Sequence, residues 1–281
     1  MAITSENIIC EMENNNKIIG HYPETINSSI NFLGHDNILY CEKNVRLCDS
    51  KLTFAGNNSV IYLCSSSYPY KLSVDVYNDS VFHMGENNYI SNTLSVILSE
   101  QKHCLIGDNG AFSDNISIRN ADSHLIYKCS TKNRLNISKS IYIGDHVWIG
   151  QDARIFKGTQ VDSGSIIGAM SVVSGKKIPH NSTWAGNPCK QIDEDIFWDS
   201  SCVHDWTQNE TTKSMNYAEF ISEYKHDCPE NFGIYEFNTS EYLGWEDLEN
   251  AFSSQSSSLD KCQYLIHLNE CKTKNRFVHS S

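Results

Sequence analysis

Eleven histidines and eleven cysteines are the residues of this 281-residue chain best suited to move protons, bind metals or attack carbon near neutral pH. The cysteines, an odd number scattered without a single CxxC pair, form neither a zinc ribbon nor a disulfide framework. In a reducing compartment they read as small buried hydrophobes, and none is a candidate nucleophile. Among the histidines, His124 closes the run Asp122-Ser123-His124. Side chains two apart on an extended strand share a face, so Asp122 could orient the His124 imidazole and favour its protonated form. The same aspartate could equally cap a turn or hold a ligand, and an ordinary surface histidine is the bland reading of His124. Trp148 carries an N–H able to donate to a developing oxyanion and a face able to pack a ligand, against the plain alternative of a structural Trp beside a corner. His124, His146 and His180 would suffice in number for a zinc site, but no ligand spacing singles them out and no metal is assigned.

These residues must be positioned by some regular element, and the sequence announces which. From Ile143 a branched aliphatic residue recurs at every sixth position: Ile143, Ile149, Ile155, Val161, Ile167 and Val173. The fifth place of each hexad holds Val147, Ala153, Thr159, Ser165 or Ser171, all small or β-branched. A strand repeats every two residues and a helix every 3.6, so neither alone yields a strict six. A triangular solenoid does, if each hexad is one short strand plus one corner and three hexads close a coil. The aliphatics then stack in interior columns, with the small residues in the narrow space beside them. Looser copies of the pattern, Ile106-Gly107-Asp108, Phe112 and Ile118, and further back Leu33-Gly34-His35-Asp36, Leu39, Val45 and Phe54 to Val60, extend it upstream to about residue 25.

Between His124 and Ser140 the period lapses into a basic, polar stretch with Lys128, Lys132, Arg134 and Lys139, as expected of a loop thrown out of one coil. After Gly175-Lys176-Lys177-Ile178-Pro179 and Ala185-Gly186-Asn187-Pro188 the hexads end. The chain therefore divides into an N-terminal segment (1–25), a β-helical domain (26–192) with an ejected loop at about 125–140, and a mainly helical extension (193–281). Helix-compatible spacing occurs at Tyr217 to Tyr224, Glu241 to Phe252 and Leu259 to Cys271, with Ser253 to Ser258 expected as a flexible link. The fold class is thus mainly β, a triangular parallel β-solenoid with a helical C-terminal extension.

Net charge −12 argues against nucleic acid or an anionic membrane surface as partner, so any anionic ligand must be held locally. No stretch approaches the length of a membrane span and no export leader is recognisable, so a cytoplasmic location is expected.

The block Ile118-Arg119-Asn120-Ala121-Asp122-Ser123-His124, the basic loop, Ile143-Gly144-Asp145-His146-Val147-Trp148-Ile149-Gly150 and the exit Ile178-Pro179 to Ala185-Gly186-Asn187-Pro188 resemble the hexapeptide-repeat acyltransferases. The likeness is to the branch that O-acetylates capsular and lipopolysaccharide sugars, and it spans roughly residues 106–192. It implies a left-handed parallel β-helix, acetyl-coenzyme A as cosubstrate, a saccharide acceptor (polysaccharide or nucleotide sugar) and a homotrimer with sites between subunits. It also implies His124 as general base and Trp148 at the acetyl group. A sugar hydroxyl is a poor nucleophile at neutral pH, and an imidazole titrating near ~6.5 can take its proton as it attacks the thioester. The resemblance further assigns Trp148, Gly150, Gln151 and Ala169 to the pantetheine arm and Lys176 or Lys177 to the coenzyme's phosphates. The run Ser174-Gly175-Lys176-Lys177 is one residue longer than the family's usual form.

An N-acetyltransferase of amino-sugar nucleotides would share fold and coenzyme, but the Asp-Ser-His block and basic loop favour the O-acetyl branch. A β-helical zinc hydratase would need converging histidines, whereas His146 falls where a hexad points outward. A non-catalytic scaffold is the third alternative.

Overall fold

A computed structural model describes residues 8–225, 233–235, 243–270 and 277–278. Among these residues, short strands form three long faces. The first has nine strands, from Ile8–Glu11 to Lys177–Ile178; the second six, from Tyr89–Ile90 to Lys190–Glu194; the third seven, from Ser29–Phe32 to Val172–Ser174. The chain visits the faces in that order and then steps up one coil, giving a parallel β-solenoid of about 7 turns. Pairing is parallel from Lys17↔Ile38 to Ile166↔Thr183. Antiparallel strands close the ladder at both ends, Ile8–Glu11 on Lys17–Gly20 and Lys190–Glu194 on Ser182–Ala185. Parallel pairing thus begins at Lys17, ahead of the boundary expected at residue 26.

The hexads behave as the spacing requires. Ile143, Ile149, Ile155, Val161, Ile167 and Val173 are fully buried inside the prism, as are the fifth-position residues Val147, Ala153, Thr159, Ser165 and Ser171. Upstream, Ile106, Phe112, Ile118, Leu39, Val45 and Phe54 join the same core. Leu33 does not: it is 71% exposed. The upstream coils are longer, since Ile38 pairs with Val60, twenty-two residues on, while Tyr142 pairs with Gln160, eighteen on. A count in sixes slips there and drops Leu33 onto a corner.

The extra upstream residues sit in the corners, and they explain the abundance of Asn and Asp. Asn15, Asp36, Asn58 and Asp79 adopt left-handed backbone (φ 57–58°), a conformation their short polar side chains tolerate best after glycine. They bond from coil to coil: Asn15 Nδ2 donates to Asp36 Oδ1 and Asn58 Nδ2 to Asp79 Oδ1, each at 2.6 Å.

The extension holds helices Gln208–Lys213, Tyr217–Tyr224, Trp245–Ser254 and Ser258–Glu270. The last two lie on the outside of the first face. There Ile19, Ile38, Val60, Tyr62, Val81 and Leu105 form a second apolar cluster with Trp245, Leu248, Phe252, Cys262 and Leu265. Burying each such side chain contributes roughly 1.5–3 kcal/mol, so the helices are an integral layer. Lys261, almost wholly buried, fixes them to the corner ladder through Asp79 Oδ1 (3.0 Å) and the Asn58 carbonyl (2.9 Å). The segment expected as a flexible link is docked as well: Ser258 N–H donates to Asn58 Oδ1 and its hydroxyl to the Asp36 carbonyl, both at 2.5 Å. Among the described residues no helix is long and apolar enough to cross a membrane.

Candidate active site

The ejected loop leaves the third face after Ser117–Arg119 and rejoins the first face at Ile141–Ile143. Its base is pinned by buried Asn120, whose side chain accepts from Ser99 N–H (2.8 Å) and donates to the Ser99 carbonyl (3.1 Å). Backbone bonds Leu135 N–H to Ile126 O (2.8 Å) and Lys128 N–H to Asn133 O (2.9 Å) fold it into a short hairpin. The basic stretch is therefore only partly a solvated charge cluster. Arg134 grips Glu100 with two parallel bonds of 2.8 Å, and Ser138 adds a third at 2.5 Å. Together, Arg134 first, they hold the Glu100 carboxyl below its usual range.

His124 stands exposed at the foot of this hairpin. Its backbone is set by Asn136, a buried residue whose Nδ2 donates to the His124 carbonyl (2.6 Å) and whose Oδ1 accepts Ile126 N–H (2.9 Å). Asp122 pairs with Lys157 of the next coil at 2.5 Å, and that ammonium, followed by Asn136, lowers its carboxyl pKa. Within one chain the carboxylate expected to orient the imidazole thus serves as an anchor between coils.

Trp148 opens the second-face strand Trp148–Ile149 with its ring 41% exposed. It leans at 48° on Trp198, ring centres 6.0 Å apart. Trp198 comes from the extension and is locked to the corner at His146. The two rings stack 1° from parallel at 3.9 Å, Trp198 Nε1–H donates to the His146 carbonyl (2.9 Å), and His146 Nε2 lies 3.0 Å from the Trp198 carbonyl. The last contact requires the proton on Nε2. His146 points out of its coil, as the hexad register implies, but the extension buries it, and that burial pushes its pKa down. Among the described residues no three His, Cys, Asp or Glu side chains converge on a metal position.

Gly150 follows at the corner between the second and third faces. A Cβ there would come within 2.5 Å of Ala169 N, so only glycine permits this approach of successive coils. Gln151 and Ala169 are exposed on the same edge, where Met170 N–H donates to Gln151 O at 2.7 Å. Lys176 and Lys177 lie elsewhere, on the return from the third face to the first, which is also the edge carrying His124 and Lys157.

The expected residues therefore fall into two groups. Gly150, Gln151 and Ala169 mark one edge of the prism, with Trp148 on the second face beside it; His124, Asp122, Lys176 and Lys177 mark another, with the third face between the two edges. Asn136, Lys157 and Trp198 were not anticipated. Asn136 and Lys157 have no motif of their own, and Trp198 lies beyond the last hexad.

Among curated proteins, a polysialic acid O-acetyltransferase of Neisseria meningitidis is 24% identical over 190 residues, covering 68% of this chain and 88% of the relative. A galactoside O-acetyltransferase of Escherichia coli is 35% identical over 115 residues, 41% of this chain and 55% of the relative. Among solved structures, the polySia-specific acetyltransferase NeuO aligns with TM-score 0.59 at 27% identity, over 69% of this chain and 88% of that one. The polysialic acid O-acetyltransferase OatWY aligns with TM-score 0.53 at 23% identity, over 69% and 98%. No protein-family model matches the chain. The relatives are O-acetyltransferases and the structural neighbours are β-helix acetyltransferases, the class that the hexads resemble.

Proposed function

We propose that this chain is an O-acetyltransferase that moves acetyl from acetyl-coenzyme A to a sugar hydroxyl of a surface polysaccharide such as capsule or lipopolysaccharide. On this reading it works in the cytoplasm, as a homotrimer, by direct transfer. The observation that carries the proposal is the division of the site between two edges. A general base on one edge and an acetyl-binding wall on another cannot meet within one prism. They meet when the His124 edge of one copy faces the Trp148 edge of the next, which accounts for both groups being exposed on a single chain.

The chemistry then follows from the side chains. His124 takes the proton of the acceptor hydroxyl as the oxygen attacks the thioester carbonyl. The Trp148 indole N–H stabilises the oxyanion of the tetrahedral intermediate. That intermediate collapses to expel the coenzyme thiolate, which recovers the proton from His124, so no acyl-enzyme forms. Gly150, Gln151 and Ala169 present closely stacked backbone to the pantetheine arm, and Lys176 or Lys177 offers a point charge to its phosphates. Asn136 fixes the carbonyl of His124 and so holds the base in place.

The test is incubation with acetyl-coenzyme A and a panel of purified polysaccharides and nucleotide sugars, following thiol release and the lability of the new acetyl group. Acceptor-dependent thiol release with base-labile acetate is the expected result. Base-stable acetate on an amino sugar would replace this reading with N-acetylation.

A further inference from the structure

Along the start of the second face the outward positions form a column. Tyr89 pairs with Ala111, and Ala111 with Trp148, in parallel register, so the three side chains leave the sheet on the same side. Tyr68, one coil earlier, meets Tyr89 edge-on with ring centres 5.5 Å apart. Tyr68 and Tyr89 are 44% and 49% exposed, and nothing in the solenoid core needs either ring. Adjacent strands lie about 4.8 Å apart, so Tyr89 and Trp148 are separated by roughly 10 Å along the prism. Below Tyr68 the column runs into a cavity lined by Tyr22, Asn44, Arg46, Ser66, Ser67 and Asn87. Its walls are mostly hydroxyls and amides, with one guanidinium and the Glu24 carboxylate, and several of them are anchored to each other. Arg46 Nη2 donates to the Ser67 carbonyl (2.6 Å), and the Ser67 N–H and hydroxyl donate to Asn87 Oδ1 (3.0 and 3.2 Å).

We propose that Tyr68, Tyr89 and the adjoining polar cavity form a track that holds an extended saccharide chain and feeds it to Trp148. This rests on the reading of a polysaccharide acceptor and adds where the rest of the polymer lies. Exposed aromatic rings at intervals, interleaved with hydroxyl and amide groups, suit a chain whose units each offer a C–H face and a hydroxyl edge. They suit a second copy of a protein surface less well, since a buried interface core would leave these Ser, Asn and Arg groups to be desolvated. The placement is also directional. The track lies on coils before Trp148, while Gly150 and Gln151 lie at the next corner of its own coil and Ala169 one coil later, so polymer and coenzyme approach the acetyl position from different sides.

The full-length protein would be tested against immobilised polysialic acid and a panel of other surface polysaccharides, each as short and long oligomers, together with the Tyr68→Ala and Tyr89→Ala variants. The track predicts that the wild type retains at least one polymer more strongly as its length grows, and that each variant weakens long-chain retention about tenfold. Coenzyme A binding, measured in parallel, should not change and serves as the folding control. Equal retention by wild type and variants, or no polymer retained at all, overturns the proposal. So does dissociation of the assembly on substitution, measured by sedimentation, which would make the tyrosines an interface between copies. Tyrosine-dependent retention without acetyl transfer would keep the track and sink the proposed reaction, so the two failures are distinguishable.

Discussion

The imidazole of His146 lies flat on the indole of Trp198, ring centres 3.9 Å apart, with a hydrogen bond between backbone and ring in each direction. This contact clips the C-terminal extension to a corner of the solenoid beside Trp148, whose ring leans on Trp198 in turn. Trp198→Ala should cost about 3 kcal/mol of stability by emptying a buried aromatic site, measured by urea unfolding. It should also redden and quench the Trp148 emission as that ring loses its wall. Trp198→Phe keeps a stacking ring and loses one hydrogen bond, so its cost should be nearer about 1 kcal/mol. Equal costs for the two substitutions would show that the stack contributes nothing.

His124 is exposed, and among the described residues only its carbonyl is hydrogen-bonded, by Asn136. Removing the imidazole therefore takes nothing from the packing. His124→Ala should lower the rate of acetyl transfer by about a hundredfold to ten-thousandfold and shift stability by no more than about 0.5 kcal/mol. Paired rate and thermal-melt measurements check this. Full retained activity in a folded variant would remove His124 from the mechanism.

Asp122 separates two roles that the sequence left open. Were it the orienting acid of a triad, Asp122→Asn would cost on the order of 10⁴ in rate. Its bond to Lys157 across 2.5 Å indicates instead a staple between the loop and the next coil. Both partners reach solvent, with side chains 46% and 20% exposed, so the pair contributes less than about 1 kcal/mol and weakens with salt. The expected kcat/KM of Asp122→Asn is within about tenfold of the parent. A loss of several orders of magnitude would mean that, in the assembled enzyme, Asp122 turns to an imidazole.

How far the sequence could be read depended on where its repeat was strict. The core columns from Ile143 to Val173 follow from the six-residue spacing alone, because a coil of three short hexads leaves no other place for those side chains. Upstream, corners lengthened by Asn and Asp break the count, so Leu33 looked interior and Val60 looked like a column member, although it faces the C-terminal helices. The same blurred coil length hid the stacking of Tyr68 beside Tyr89, twenty-one residues apart, which becomes evident only once Val60 is seen to pair with Val81. Helix Tyr217–Tyr224 was legible from spacing. Trp198 was not, since an isolated Trp outside any repeat carries no positional information until the chain folds back. The candidate residues could be named from the sequence, but their division between two edges required the order of the faces.

The docking of the C-terminal helices should itself respond to pH through His103. This residue is 2% exposed, its Nδ1 accepts Val81 N–H at 3.2 Å, and its ring lies 4.9 Å from that of Phe252. The proton therefore sits on Nε2, which is buried without a hydrogen-bond partner among the described residues. Burial pushes the pKa down to about 4; Glu249 opposes that shift while Lys261 and Lys102 add to it. The unfolded chain binds this proton near pH ~6.5, whereas the folded chain resists it until about 4, so the unfolded state holds more protons throughout that window. Stability contributed by neutral His103 is therefore complete above pH ~6.5 and lost as pH falls, amounting to about 2 kcal/mol by pH ~5. His103→Asn supplies an oxygen to accept Val81 N–H and does not titrate. Urea unfolding at neutral and mildly acidic pH should show a steeper loss in the parent than in the variant. Parallel pH profiles for the two proteins would mean that His103 does not govern the acid response of this layer.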